Sequence, residues 1–114
     1  MAPARVVIAG RVLDLVFADR VESEGVTLSG LCDLDQARIS VAATLSCDAI
    51  KTTVLHECIH GVADVLGYGW NERRVEQAET LFFLLMRSNP DLVEWLMRGG
   101  KDDVGTPTHG RTDP

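Results

Sequence analysis

With 114 residues, 46% hydrophobic and 25% charged, the chain has the composition of one globular domain, which argues against wholesale disorder. A net charge of −6, with no basic cluster larger than Arg73-Arg74, argues against a broad nucleic-acid surface, and the longest apolar run, Leu81 to Met86, is too short to cross a membrane. Cys32, Cys47 and Cys58 have no paired spacing, and the apolar stretch Val6 to Ala9 is too short for an export signal, so reduced thiols in a cytoplasm are expected.

Arg5–Ala9 and Val12–Phe17 are rich in β-formers and flank Gly10, which predicts a strand pair or bent hairpin. Asp19 to Gly25 is acidic and reads as a solvated loop. Val26–Cys32 and Ala37–Ala42 read as two more strands around a turn at Asp33-Leu34-Asp35-Gln36. In the second, Ile39 and Val41 alternate with Arg38 and Ser40, the pattern of a half-exposed strand along whose free edge an extended peptide could pair.

Residues 53–60, Thr-Val-Leu-His-Glu-Cys-Ile-His, dominate the rest. On a helix, positions four apart lie one above the other, so His56 and His60 can converge on one metal ion with Glu57 beside them. Zinc suits two neutral imidazoles and a carboxylate, and it leaves a fourth position for a water that the neighbouring glutamate can deprotonate. The expected helix starts at a Ser46 or Asp48 cap and ends near Leu66, before Gly67. Its apolar stripe is expected to be Leu55, Cys58, Ile59, Val62, Val65 and Leu66, opposite Thr53, His56, Glu57, His60 and Asp64; Cys58 is read as a small core residue.

After the turn Gly67-Tyr68-Gly69-Trp70, Asn71 is the expected cap of a second helix, about Glu72 to Arg87, closed by Asn89-Pro90. A short helix over Asp91–Arg98 should pack Leu92, Val93, Trp95 and Leu96 inward. From Gly99 the composition turns to Gly, Asp, Thr and Pro, so the domain is expected to span residues 1–98 and a flexible tail 99–114, with His109 outside the site.

A third ligand must come from the second helix, where Glu72, Glu76 and Glu79 share one side. The first helix runs about 9 Å beyond His60 before the chain turns, so a simple antiparallel return favours Glu76. Asn-Glu-Arg-Arg-Val-Glu, residues 71–76, in turn resembles the third-ligand helix of gluzincins, which implies Glu72 on the metal and Glu76 orienting a ligand histidine.

The segments His56-Glu57-Cys58-Ile59-His60, Glu72-Arg73-Arg74-Val75 and Asn89-Pro90 resemble small bacterial and phage-encoded zinc peptidases of gluzincin type, and more distantly the ImmA/IrrE peptidases. The likeness covers roughly residues 28–97. It implies an α+β fold in which a small antiparallel or mixed sheet packs on the active helix and on a second, antiparallel helix. It also implies a Zn²⁺ held by His56, His60 and Glu72, with Glu76 the next choice as third ligand. Glu57 would be the general base acting on a peptide or protein substrate. Glu76 or Asp64 can orient a ligand histidine, and Tyr68 and Trp70 either wall the pocket or pack the turn. A second reading is a non-catalytic, zinc-stabilised interaction module on the same scaffold, and a third is a metal-free helical module. Oligomeric state is open, since Leu81 to Leu85 surround the second helix with apolar side chains.

Overall fold

The computed structural model describes residues 1–99. Of the tail expected over residues 99–114, everything from residue 100 onward, with His109, lies outside the described residues. Among the described residues the fold is α+β, with a four-stranded mixed sheet, a two-stranded ribbon and three helices. The first compact unit is Met1–Phe83, and a second begins at Leu84.

Strands β1 (Arg5–Ile8) and β2 (Arg11–Ala18) form an antiparallel hairpin in which Ile8 faces Arg11. The two-residue turn needs positive φ at both positions, and Ala9 (48°) and Gly10 (85°) supply it. The acidic segment expected to be a loop is instead a second hairpin. β3 (Val21–Ser23) pairs with β4 (Val26–Leu28) around Glu24 and Gly25, both again at positive φ, and Val21 is buried. The acids line the outside of a ribbon whose one apolar anchor turns inward.

The stretch expected as a single strand, Val26–Cys32, divides. β4 stays in the ribbon, and β5 (Gly30–Asp33) joins the main sheet. β6 (Arg38–Ala42) lies between β2, which it pairs in parallel, and β5, which it pairs antiparallel. Its alternation is the expected one, with Ile39 and Val41 buried and Arg38 exposed, but with a neighbour on each side it has no free edge along which a peptide could pair. Ile39 and Val41 on one face are fully buried, and the edges of the sheet are β1 and β5.

Leu13, Leu15, Ile8, Ile39 and Val41 form the core, each worth roughly 1.5–3 kcal/mol on burial. Helix α1 (Cys47–Val65) packs on β5, β6 and β1 through Ile50, Val54, Cys58 and Val65. Gly61 allows this approach, since a Cβ there would stand 3.1 Å from Ile8 Cγ2 and 3.2 Å from Cys32 Sγ. The packed stripe is rotated from the expected one: Cys58 and Val65 belong to it, whereas Val62 and Leu66 are exposed. Ser46 Oγ caps α1 by accepting from the Ala49 amide, and Gly67 follows its end at φ 74°.

Helix α2 (Glu72–Ser88) starts at Asn71, whose Oδ1 accepts from the Arg74 amide, and Val75 is its buried anchor. In the second unit, α3 (Pro90–Met97) leaves Leu92, Trp95 and Leu96 exposed rather than buried as expected. No helix among the described residues is long and apolar enough to cross a membrane.

Candidate metal centre

His56 and His60 leave one face of α1 on adjacent turns, with ring centroids 4.9 Å apart. Glu72, the first residue of α2, reaches both: one carboxylate oxygen meets His56 Nε2, and the other lies 2.9 Å from His60 Nε2. The three donor atoms lie within 4.8 Å of one another, so this group can hold a metal ion.

The sequence left Glu72 and Glu76 open as the third donor. Glu72 joins the two imidazoles, while Glu76 lines the same cleft without entering the group. The reason lies in the connection. Residues 66–71 can span roughly 20 Å when extended, enough to carry the chain the ~9 Å back along α1 before α2 begins. The second helix thus starts level with the histidines.

The histidine-orienting acid is Glu79, not Glu76 or Asp64. Its Oε1 lies 2.8 Å from His56 Nδ1. If Nδ1 donates its proton to that carboxylate, Nε2 keeps its lone pair for a cation, the tautomer a metal ligand needs. Glu79 sits seven residues after Glu72, two turns along the same face of α2, and that spacing was the available signal.

Glu57 is only 7% exposed and lines the cleft. It lies at the border of the packed stripe, where the Cys32 backbone of β5 exerts a small downward pull on its carboxyl. Gly30 makes room here, because a Cβ at that position would meet Thr53 Cγ2 at 2.6 Å and Glu57 Cγ at 3.1 Å. Burial holds the Glu57 carboxyl above the usual carboxylate range even though His56 and His60 pull it down. Burial alone would lower His56, but the Glu79 hydrogen bond and the charges of Glu57 and Glu72 outweigh it and raise the imidazole. Glu72 would rise through its own burial, yet its contacts with His60 and His56 bring it below the ordinary value. Its side chain is 61% exposed, so the group opens to solvent.

Cys58 stays on the packed side, and burial raises its thiol. Cys32 is pushed up to about 11 by burial and then by the Glu57 charge, so both thiols stay protonated near neutrality. Tyr68 and Trp70 pack on each other at 5.5 Å, with Arg74 over the indole. They line a separate hollow with Arg73 and do not reach the metal group. The cleft itself encloses about 650 Å³ between α1, α2 and β5.

No family model, curated protein or solved structure matches the chain.

Proposed function

We propose that the protein is a zinc-dependent metallopeptidase that hydrolyses peptide bonds, with His56, His60 and Glu72 as metal ligands and Glu57 as general base. The observation that carries this reading is the convergence of two imidazoles and a carboxylate in one cleft with a second, buried carboxylate beside them. When bound, Zn²⁺ supplies Lewis acidity, bringing a water's pKa to roughly 7 and polarising a carbonyl.

The chain's own residues supply the remainder. Burial moves Glu57 toward the pH at which a carboxylate both takes and returns a proton, so it receives one from the attacking water and passes it to the leaving amine. Glu79 fixes the His56 ring. β5 is an edge strand lining the cleft, so an extended peptide can add to the sheet there and lie across the ligands.

The test is zinc analysis of the purified protein together with peptide hydrolysis, with and without chelator. The expected result is about one zinc per chain and a loss of activity of 10²-fold or more in Glu57→Gln, with zinc retained. If the biological effect survives Glu57→Gln, the enzymatic reading fails and a zinc-stabilised interaction module replaces it. A chain that takes up no zinc leaves only a metal-free module.

A further inference from the structure

The second unit, from Leu84, leaves most of its large apolar side chains in solvent. The end of α2 exposes Leu84, Leu85 and Met86. Asn89 alone separates it from α3, which exposes Leu92, Trp95, Leu96 and Met97. At about 200 Å² for a fully exposed residue of this size, their fractional exposures amount to roughly 700 Å². The largest apolar patch of a typical monomer is about 300–600 Å², whereas each partner's share of a stable interface is about 800 Å². Residues 100–114 contain one large apolar side chain, Val104, and so offer little to cover this surface.

Charge selects the occupant. The chain carries −6 overall, yet residues 84–98 are neutral, with Arg87 and Arg98 balancing Asp91 and Glu94. Two acidic chains therefore repel least when they meet here. On α3, Leu92, Trp95 and Leu96 stand at i, i+3 and i+4 and form one face. Asp91 in the first turn and Arg98 at the C-cap are seven residues apart, two helical turns, so they flank that face on the same side. Turning a second α3 end for end, about a twofold axis level with Glu94 and Trp95, brings Asp91 of each copy beside Arg98 of the other. A parallel pair would instead set Asp91 level with Asp91 and Arg98 level with Arg98. The face is thus its own complement in charge as well as in polarity, which an isologous pair requires.

We propose that the second unit is a dimerisation surface on which two copies of this chain pack α3 against α3, antiparallel, with Trp95 and Leu96 at the centre and an Asp91–Arg98 pair at each end. Tryptophan and methionine are enriched at the centres of such interfaces, and a tryptophan there carries much of the binding energy. The proposal does not depend on the peptidase reading, since none of these residues lines the metal cleft.

The test is sedimentation velocity on the full chain, metal-free and zinc-loaded, over roughly 1–200 µM, because an interface of this area holds at about micromolar concentration. The expected species has twice the mass of the chain. Leu96→Glu should make it monomeric at every concentration while the circular dichroism spectrum stays unchanged. Asp91→Arg and Arg98→Asp, each alone, place like charges at both ends and should weaken the dimer about three- to tenfold. Combined in one chain they should restore it, an outcome specific to end-for-end pairing. These swaps at exposed positions decide the matter should Leu96→Glu unfold the protein. A chain that stays monomeric throughout overturns the proposal, as does a dimer indifferent to a folded Leu96→Glu or one that the combined swap fails to restore. A monomer that instead co-sediments with phosphatidylcholine vesicles, and no longer does so with Leu96→Glu, overturns it in favour of a lipid surface.

Discussion

The two sides of α1 are held by different forces. Toward the sheet, Ile50, Val54, Cys58 and Val65 press on a core in which Ile39 and Val41 are fully buried. Toward α2, the described contacts are polar: His56 to Glu72 and Glu79, and His60 to Glu72, around the single buried apolar anchor Val75. One side is a core that stands without help. The other is a set of carboxylates gathered around imidazoles, an arrangement that gains most when a cation sits among them.

Breaking the first side should have the largest effect. Ile39→Ala deletes fully buried methyl groups next to Leu13 and Val41, and it should cost about 2–5 kcal/mol in urea denaturation, with or without zinc. Glu79→Gln tests the second side. It should weaken zinc binding roughly 10- to 100-fold by titration against a competing chelator, while the metal-free midpoint moves little. Should both substitutions shift metal-free stability equally, the contrast between the faces is wrong. A smaller effect is expected at the start of α2, where Asn71→Ala removes a cap worth about 1 kcal/mol and loosens the delivery of Glu72.

The pH dependence sharpens the comparison further. His56 is raised above its ordinary 6.5, so its contribution to the metal-free fold is complete below 6.5 and is lost as pH rises through the folded value. Glu57, raised above 4.5, acts in the same direction, since stability falls as pH climbs from 4.5 through its folded value. Glu72 is lowered, so its share is present above 4.5 and disappears only as pH falls through its lower folded value. The metal-free protein should therefore melt at a lower temperature at pH about 8 than at about 6. Zinc stabilisation should run the opposite way, because protons leave the imidazoles as pH rises. Parallel trends with and without zinc would contradict the site.

Element ends were legible where caps and glycines mark them: Ser46, Gly67 and Asn71 bound the two long helices as their chemistry predicts. The first hairpin was legible for the same reason, since Gly10 interrupts two β-rich runs. The second was not, because its three-residue strands are too short for alternation to register and its acids mask Val21. The one mark it left is Gly25, which with Glu24 closes the hairpin as a two-residue turn at positive φ.

Alternation in Arg38–Ala42 revealed a strand but not its neighbours, since pairing in parallel with β2 depends on a segment more than twenty residues away. The stripe on α1 was misplaced because periodicity identifies residues that share a face without saying what covers it. Leu55, Ile59, Val62 and Leu66 form a regular row, yet the sheet covers the arc through Ile50, Val54 and Gly61. Glu57 falls on the border of that arc, which is how a charged residue comes to be buried.

The six-residue connection before α2 governs more than the path of the chain. Because Glu72 follows it immediately, the path of residues 66–71 decides where along α1 the first turn of α2 begins, and so whether that acid stands level with the imidazoles. Gly67 and Gly69, at φ 74° and 64°, hold backbone shapes that other residues rarely adopt, so the loop resists gradual alteration. A segment outside the His56–His60–Glu72 group thus fixes the spacing within it, and replacing either glycine by a bulkier residue is expected to disturb that group as well as the turn.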